Sequence, residues 1–464
     1  MAKCLKLESS DDRISALPDE VLIHILSFLP TQNAVTTSVL SKRWRYLYTL
    51  VSSLDLMTDV YDDDRDLDEV EKASRFMNFV DRALFFRDIP SIVRFRLAYY
   101  QYIDPMRIDG WLRALMWHNI QEIDICNYFE EEFQGLPLPA PLFCCETLVV
   151  LKVNLQWNNR DLKVPSRIWL PNLKILHIRD ICFPDDASGE NLFSSCPVLE
   201  QVVLHGCFFG DGCLKFKISS SALKRLTIES VTTTSLPDKK FQIMINTPNL
   251  VYLNYSISGN QSLVLVNVQS LAEVLITCDT AYYWENPAAA TDVFRGIKDT
   301  QSLHISNNTL VGLKYHEVPI PSFEKMTYLK IWDWDFLPGS DVLEYLLAHC
   351  VVLETLVFEE QLTKGNTSIQ YSLQKAPLAR MLCRLKKIVI QSLEMRQSEA
   401  YMQIIEFFLN NASILEELNI HITRHLSEQQ EKMMVNEILT RYQESERNLK
   451  FSFMQGIKLM FQFE

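Results

Sequence analysis

"LKILHI", residues 173–178, places apolar side chains at its first, fourth and sixth positions, which are Leu173, Leu176 and Ile178. Side chains of a strand alternate between its two faces, so the fourth and sixth positions share one face and can enter a core. The first position closes the preceding turn inward. The hexapeptide therefore predicts a short strand that buries one face.

The same 1-4-6 spacing recurs along most of the chain. Strong copies are "LEQVVL" (199–204), "LKRLTI" (223–228), "LVYLNY" (250–255), "MTYLKI" (326–331), "LETLVF" (353–358), "LKKIVI" (385–390) and "LEELNI" (415–420). Weaker copies begin at Ile92, Ile120, Leu148, Leu271 and Thr300. The copies start between positions 92 and 415 in twelve steps, about 27 residues per step, which falls within the roughly 20–29 residue period of leucine-rich repeats.

A single repeat cannot bury its own apolar face, so such an array folds by stacking into a solenoid. The segments "ASGENLFSSCPV" and "SDVLEYLLAHCVV" are predicted helical crossovers, with Ser188 and either Ser340 or Asp341 as N-caps. Step lengths vary from 21 to 32 residues, which predicts an irregular solenoid and leaves the register at Leu271 and Thr300 open. The alternative is an ordinary α/β domain of alternating strands and helices.

A helical apolar pattern, "LPDEVLIHILSFLPTQNAVTTSVLSKRW", occupies residues 17–44. Pro18 suits the first turn of a helix, and Asp19 and Glu20 suit its positive end. Two further short helices are predicted to begin near Thr31 and Ser41. Three helices in about 40 residues bury too little surface to be stable alone. The pattern therefore predicts a partner, either the first repeat, which this unit would cap, or another protein.

The block from Asp12 to Leu50 closely resembles an F-box, in the form common in plants. Its landmarks are "LP" at 17–18, "ILSFLP" at 25–30 and "SVLSKRWR" at 38–45, and it departs only at Tyr48, where plant relatives often carry tryptophan. The resemblance implies docking on the Skp1 adaptor of an SCF ubiquitin ligase. The implied anchors are Leu17, Pro18, Val21, Ile25, Leu26, Leu29, Val39, Leu40 and Trp44. Some of them must instead hold the three helices together.

The C-terminal part resembles the FBD region of plant F-box and leucine-rich-repeat proteins, although it also reads as two further repeats. A helix is predicted over Glu399–Leu409, a last helix near Glu428–Tyr442, and a strand at "LKFSFM" (449–454). The predicted fold class is therefore α/β: an N-terminal three-helix F-box (8–55), an irregular leucine-rich-repeat solenoid (56–375) and an FBD-like region that closes it (376–464).

Composition limits the classes of partner and compartment. A net charge of −13 disfavours a general nucleic-acid binder, which needs cations to displace counterions. No apolar run is long enough for a signal peptide or a membrane span, and eleven irregularly spaced cysteines suit reduced thiols in the nucleus and/or cytoplasm. The acidic run from Asp59 to Lys72 is interpreted as a solvated loop leading into a helix with Val70, Phe76, Val80 and Leu84 on one face. The alternative is that it attracts a basic partner electrostatically.

No stretch carries the residues of a known catalytic, metal or cofactor motif. Phosphate-binding glycine loops, HExxH and GxSxG are absent, and the adjacent Cys144 and Cys145 do not match a CxxC pair. Cys182, Cys196, Cys207 and Cys350 fall at repeat turns or in crossovers and are interpreted as buried structural thiols. The chain is therefore predicted to be no enzyme and to need no cofactor or metal.

A target surface is predicted from the strand position between the two inward residues, which faces the concave side of such a solenoid. This column is Asp124, Lys152, His177, Val203, Thr227, Asn254, Leu275, His304, Lys330, Val357, Val389 and Asn419. Its richest part is "YLKIWDWDF" (328–336). The predicted target-binding residues are His304, Tyr328, Lys330 and Trp332, and the alternative is that Trp332 and Trp334 pack on crossover helices.

These observations favour a non-catalytic substrate-recognition subunit of an SCF (Skp1-cullin-F-box) E3 ubiquitin ligase. The F-box would bind a Skp1-like adaptor, and through it cullin, while the repeats would bind an unknown target protein. A hormone-type small-molecule receptor and an interaction scaffold that assembles no ligase remain as alternatives.

Overall fold

A computed structural model defines the architecture. It describes residues 13–58, 68–85, 92–128, 138–155, 167–233, 241–257, 261–278, 287–332, 340–359, 384–393, 412, 414–422, 449–454 and 458–463. Two compact units divide the chain: Met1–Cys182 with Ser195–Leu199, and Phe183–Ser194 with Glu200–Glu464. These are boundaries of compactness, so the predicted module boundaries at 55 and 375 stay predictions.

The first unit begins with short helices around a small core of their own. They are α1 (Asp19–Leu26), α2 (Thr31–Thr36) and two 3₁₀ helices, Thr37–Val39 and Trp44–Leu50. Acidic side chains in the first turn of α1 suit its positive end. The core side chains of this bundle are Leu22, Leu26, Ala34, Trp44, Leu47 and Val51. The three predicted short helices are thus present.

Five parallel strands and two longer helices complete the first unit. The strands are β1 (Ser53–Met57), β2 (Arg94–Tyr99), β3 (Glu122–Asn127), β4 (Val150–Leu155) and β5 (Ile175–Arg179), hydrogen-bonded in that order. The helices are α3 (Glu69–Phe85) and α4 (Pro105–Met116), and a 3₁₀ helix covers Ala140–Cys144. One layer of buried side chains crosses all five strands: Leu54, Phe95, Ile123, Leu151 and Leu176.

Two features of this unit go beyond or against the sequence analysis. β1 belongs to a repeat copy that was not predicted. Its 1-4-6 positions are Val51, Leu54 and Leu56. In α3, Phe76 and Val80 are buried, whereas Val70, predicted to lie on the same face, is 78% exposed in the first turn of the helix.

The second unit carries the longer run of repeats. Its strands are β6 (Cys182–Asp185), β7 (Gln201–His205), β8 (Phe208–Gly212), β9 (Lys215–Ser219), β10 (Arg225–Glu229), β11 (Thr232–Thr233), β12 (Phe241–Asn246), β13 (Tyr252–Ile257), β14 (Gln261–Val266), β15 (Glu273–Cys278), β16 (Ser302–Ser306), β17 (Tyr328–Trp332), β18 (Thr355–Glu359), β19 (Lys387–Leu393), β20 (Glu417–Ile422), β21 (Leu449–Met454) and β22 (Lys458–Phe463). Its helices are α5 (Asp186–Ser194), α6 (Pro287–Gly296), α7 (Asn307–Tyr315) and α8 (Ser340–Ala348).

The main sheet of the second unit has the order β7-β10-β13-β15-β16-β17-β18-β19-β20-β22-β21. The fourth position of each repeat forms one continuous buried layer: Val202, Leu226, Leu253, Val274, Leu303, Leu329, Leu356, Ile388 and Leu418. The copies that begin at Leu271 and Thr300 are therefore in register. The predicted strand "LKFSFM" is β21, while β22 was not predicted and pairs antiparallel with β20 and β21. The helices predicted over 399–409 and near 428–442 lie outside the described residues.

Crossovers in the second unit are of two kinds. The predicted helices at 187–198 and 340–352 are present as α5 and α8. Between Cys182 and Val266, however, much of the returning chain forms two small parallel sheets, β6-β8-β11 and β9-β12-β14. The predicted N-cap at Ser188 is wrong, because α5 begins at Asp186 and the Asp185 carboxylate instead accepts hydrogen bonds from the Ser188 backbone N–H (2.9 Å) and hydroxyl (2.6 Å).

Aromatic side chains fill the space between α5 and the small sheets. The Phe209 ring lies 4.8 Å from that of Phe216 and 4.4 Å from that of Phe241. The helix approaches so closely that a Cβ on Gly189 would lie 2.4 Å from Cε2 of Phe216. Glycine at this position therefore allows α5 to pack on β9.

Repeat strands end in a left-handed turn at the same position in three copies. The residue after β5, β7 and β10 has a positive φ: 57° at Asp180, 62° at Gly206 and 51° at Ser230. An L-residue pays a steric cost there, which aspartate and asparagine bear better than most.

In the described part of the chain, no helix combines the length and the apolar character that a membrane crossing requires.

Candidate functional site

The first candidate surface lies on the N-terminal helices, and the structure separates the nine predicted anchors into two groups. Leu26 and Trp44 are buried in the helices' own core, and Leu17 packs partly buried against it. These are residues that hold the unit together, and in the folded unit Leu26 and Trp44 offer almost no surface to a partner. Six predicted anchors are solvent-accessible: Pro18, Val21, Ile25, Leu29, Val39 and Leu40.

Further exposed apolar side chains widen this surface beyond the prediction. Phe28 is 74% exposed, and its ring lies 4.8 Å from the His24 ring in an edge-on arrangement. Ile14 and Tyr46 are also exposed. Phe28 lies within the quoted "ILSFLP", so its presence was visible in the sequence, but it falls off the stripe of helical spacing. We call the exposed apolar set Ile14, Val21, Ile25, Phe28, Leu29, Val39, Leu40 and Tyr46 the F-box surface.

A single arginine ties the ends of the helical unit together. The Arg43 guanidinium donates to the Asp19 carboxylate at 2.7 Å, to the Ser15 carbonyl at 2.7 Å and to the Leu17 carbonyl. A planar guanidinium with several fixed donors suits such a multiple contact, which an ammonium group cannot reproduce. Sequence reasoning missed this role, because the partners lie 24 to 28 residues away.

The second candidate surface is the outward-facing side of the second unit's repeat strands, which we call the strand face. In both units, the predicted column pairs residue by residue across neighbouring strands, as the sequence spacing requires. In the first unit the pairs are Asp124 with Lys152 and Lys152 with His177. In the second unit the paired series is Val203, Thr227, Asn254, Leu275, His304, Lys330, Val357, Val389 and Asn419. The prediction of an open surface is wrong for its last three members, because Val357, Val389 and Asn419 are buried.

The four predicted target-binding residues lie together on the strand face. His304 pairs with Lys330 across β16 and β17, and its ring lies 5.4 Å from the ring of Tyr328. Trp332 lies on the same side of β17, half-buried, and its Nε1 has no acceptor among the described residues. Trp334 lies outside the described residues. The structure therefore brings these four side chains together, and their role in binding stays a prediction.

Acidic partners around this patch were not predicted from the sequence. Lys330 Nζ lies 2.5 Å from Glu359 Oε2, and His304 Nε2 lies 3.8 Å from Glu273 Oε1. Burial, together with the charge of Lys330, holds the pKa of His304 below its ordinary value despite the neighbouring carboxylates. These contacts join residues about one repeat apart, so only the stacking of repeats reveals them.

Among the described residues, no group of three His, Cys, Asp or Glu side chains could hold a metal ion. The nine described cysteines are free thiols. Cys196, Cys207 and Cys350 are buried, as interpreted from the sequence, whereas Cys182 is only half-buried. Burial raises the pKa of the Cys196 thiol to about 12 and also raises the pKa of Cys350, which disfavours the reactive thiolate at both positions.

A helical unit with an exposed apolar surface, followed by parallel-strand repeats of about 27 residues, defines the class of F-box proteins with leucine-rich repeats. The F-box domain family matches residues 14–47, and the family described as "FBD-associated F-box protein At5g56370, LRR repeats" matches residues 108–260.

Similar proteins come from Arabidopsis thaliana. The F-box/LRR-repeat protein At3g59200 is 34% identical over 446 residues, which cover 89% of this chain and 82% of the relative. The F-box/LRR-repeat protein At4g14103 is 34% identical over 78% of this chain and 95% of its own length. The putative F-box/FBD/LRR-repeat protein At3g59240 is 30% identical over 90% and 85%, respectively. The chain belongs to this plant family of F-box/LRR-repeat proteins.

Proposed function

We propose that this chain is a non-catalytic substrate-recognition subunit of an SCF-type E3 ubiquitin ligase. Its F-box surface binds a Skp1-type adaptor, which links it to cullin, and its repeats bind a target protein. The ligase then brings a target lysine close to a conjugating enzyme bound elsewhere in the complex, which is catalysis by proximity.

The observation that carries this proposal is the F-box surface itself. The helical unit has a core of its own, and the exposed side chains are not part of that core. Val39 is 85% exposed, and Leu40 beside it is also exposed. Contiguous exposed apolar side chains of this kind mark a protein interface.

The strand face supports the second half of the proposal. Its column mixes polar, charged and apolar side chains, which suits a protein segment more than a polyanion. The nearby cations are also engaged: Lys330 pairs with Glu359, Lys387 with Glu417, and the Arg225 guanidinium lies 3.9 Å from the centre of the Tyr252 ring. A phosphate-rich ligand would need free, clustered cations.

The proposed function also includes the cellular compartment of the protein. The free thiols among the described cysteines suit a reducing environment. We place the chain in the nucleus and/or the cytoplasm, where ubiquitin ligases of this type meet their targets. Fluorescence microscopy of the tagged full-length chain in plant cells tests this placement, and a secretory location would contradict it.

Adaptor binding by the full-length chain tests the F-box half. Replacing Val39 and Leu40 by Ala should weaken binding of a purified Skp1-type adaptor by about 100-fold, because each side chain buried at an interface contributes roughly 1.5 kcal/mol or more. The matched control replaces Val70 and Met106 by Ala, which are equally exposed but lie on α3 and α4. The control should bind normally, and both variants should keep the melting temperature of the parent chain.

Unchanged adaptor affinity in the Val39→Ala/Leu40→Ala variant would remove the F-box assignment. Co-purification of cullin with the adaptor complex then separates a ligase subunit from a scaffold. Adaptor binding without cullin would contradict the ligase half of the proposal and favour the scaffold.

A further inference from the structure

A cavity lies between α3 and α4 of the first unit, and none of its lining residues belongs to the F-box surface or the strand face. Its volume is about 490 Å³, within the roughly 300–1,000 Å³ range of ligand-binding pockets. Its walls are mainly apolar and consist of Leu84 and Phe85 on α3 with Trp111 and Ala114 on α4. We call this cavity the α3/α4 groove.

One carboxylate fixes the geometry of the groove. Asp81 of α3 accepts a hydrogen bond from the Trp111 indole N–H at 2.7 Å and another from the Arg107 guanidinium at 2.6 Å. These bonds hold the Trp111 ring next to α3, and the arginine neutralises the Asp81 charge. Ala114 follows Trp111 by about one helical turn and ends at its Cβ, so the two helices leave the space beside it open.

Large aromatic side chains are exposed to water at this end of the two helices. Phe85 is 82% exposed, and Trp117, three residues after Ala114, is 86% exposed. Exposed aromatic groups of this size are typical of protein interfaces, where tryptophan is among the residues that contribute most to binding. The apolar area extends beyond the cavity itself, which favours a protein segment over a small ligand.

Arg82 brings a positive charge to the rim of the groove. Its neighbour Asp81 is engaged by Arg107, and no carboxylate of the described residues lies within 4.0 Å of the Arg82 guanidinium. The remaining polar group of the lining is the half-buried His118. A guanidinium can hold a carboxylate through two parallel N–H bonds. The groove is therefore complementary to an apolar group that carries one negative charge beside it.

We propose that the α3/α4 groove docks a segment of a partner protein that carries a bulky apolar side chain and, beside it, one aspartate or glutamate. The apolar side chain fills the groove, and the carboxylate pairs with Arg82. The chain's net charge of −13 repels a strongly acidic partner, so a mainly apolar segment with a single carboxylate fits better than an acidic run. This docking surface goes beyond the proposed function and does not depend on it.

Peptide selection on the full-length chain tests the proposal without knowledge of the natural partner. A random peptide library displayed on phage is selected on the parent protein and counter-selected against the Ala114→Leu variant, whose longer side chain occupies the groove. The surviving peptides should share a bulky apolar residue with an aspartate or glutamate at a fixed spacing. A synthetic survivor is then compared with an analogue in which asparagine or glutamine replaces the acidic residue, which keeps its shape and removes its charge.

Two variants measure where the charge acts. Arg82→Gln should bind the acidic peptide about tenfold more weakly and should no longer distinguish it from the amide analogue. Arg75→Gln is the matched control, because it removes the same charge from the same helix at an arginine that pairs with Glu71. It should keep both the affinity and the preference for the acidic peptide.

Phe85→Ala tests the apolar half of the groove and keeps the test valid if Ala114→Leu folds poorly. Because Phe85 is largely exposed, this variant should keep the melting temperature of the parent chain. It should bind both peptides about 30-fold more weakly, since aromatic anchors often contribute about 2 kcal/mol. Met106→Ala, at an exposed apolar side chain of α4 outside the groove, is the control and should bind like the parent.

Other occupants of the groove give different results, and each of them would overturn the proposal. Groove-dependent peptides without an acidic residue would contradict the role of Arg82. Self-association of the parent chain that Ala114→Leu abolishes, measured by analytical ultracentrifugation, would place a second copy in the groove. Groove-dependent binding of the small aromatic anion anilinonaphthalene sulfonate, with no enriched peptide, would indicate a small-molecule site. If no peptide depends on Ala114 or Phe85, the groove is not a docking surface. Adaptor binding should stay unchanged in all these variants, so the outcome leaves the proposed function untouched.

Discussion

The F-box surface and the strand face of the second unit differ in the kind of side chain that they expose to a binding partner. The F-box leaves bulky apolar side chains such as Phe28, Val39 and Leu40 in water, next to a core that is already complete. The strand face presents mainly polar or paired side chains, such as Lys330 with Glu359 and Asn254 with Glu229. It also carries single apolar side chains such as Leu275, whereas the continuous apolar layer lies on the other side of the strands.

This difference teaches what each surface can contribute to a complex. Burying apolar area yields about 25 cal/mol per Å², whatever the detailed chemistry of the partner, so the F-box surface can supply affinity for one constant adaptor. Exposed ion pairs contribute little net energy but strongly affect specificity and association rate. The strand face is therefore suited to choosing among targets.

Backbone strain also differs between the repeats and the N-terminal helices. Left-handed residues end repeat strands at Asp180, Gly206 and Ser230, whereas no residue in the described range 13–50 has a positive φ. The repeats must turn sharply at the end of each strand to begin the crossover, and the short helices need no such turn. Repeat turns are thus a place where substitution can raise stability.

The largest expected effect separates buried from exposed leucines within the F-box. Leu26→Ala should destabilise the helical unit by about 3 kcal/mol, because Leu26 is fully buried, and should speed hydrogen exchange of the α1 amides about 100-fold. Leu29→Ala, at a partly exposed site, should change exchange by less than about fivefold. Equal exchange in the two variants would show that the division between core and F-box surface is wrong.

The next effect compares an aromatic with a charge on the strand face. Trp332→Ala should weaken capture of a target protein, identified by proximity labelling with the proteasome blocked, by about 30-fold, since aromatic anchors often contribute about 2 kcal/mol. Lys330→Ala should change affinity far less, because its ammonium group already pairs with Glu359. Adaptor binding should be intact in both. A melting temperature several degrees lower for Trp332→Ala, with unchanged target binding, would place the tryptophan in the core instead.

The smallest effect concerns a strained repeat turn. Burial raises the pKa of Asp180 to about 6, against the attraction of Arg179, so the folded protein disfavours its ionised form. Above pH 6 the carboxylate is charged in both states, and this penalty is fully present. Below the ordinary pKa of an aspartate it is protonated in both, and the penalty vanishes.

Asp180→Asn should therefore stabilise the first unit at pH 7 by about 1 kcal/mol, allowing for the part of the carboxylate that stays in water. The gain should shrink on acidification and disappear at about pH 3 in urea unfolding followed by circular dichroism. Ser230→Asn, at the equivalent turn without a charge, is the control and should show no such pH dependence. A gain at Asp180 that persists at low pH would assign the effect to backbone strain alone.

Much of the repeat region could be predicted from spacing. The 1-4-6 pattern placed Leu176, Leu226 and Leu329 in the buried layer, because a side-chain period of two allows only one face to be apolar and forces the register of neighbouring repeats. The same rule identified the outward column. It missed β1, whose copy overlaps the end of the F-box. It also missed the two small sheets, β6-β8-β11 and β9-β12-β14, where strands replace helices.

The candidate sites were predicted in part. The helical stripe identified an apolar surface but could not say that Leu26 and Trp44 close the core while Val39 and Leu40 stay in water. Helical period defines a face, and only the packing of the three helices decides which residues of that face remain open. The contacts of Arg43 were not predicted, because its partners lie too far along the chain to be paired by spacing.

By itself, the sequence determined the classes of structure: an F-box, stacked strands of leucine-rich repeats, and the side of each strand that faces the core. These follow from local periodicity, which acts within about one helical turn or two strand residues. Only the tertiary structure decided which charges are neutralised. Lys330 meets Glu359, and Glu273 meets His304, because repeats 26 to 29 residues apart in the chain stack at the distance between strands.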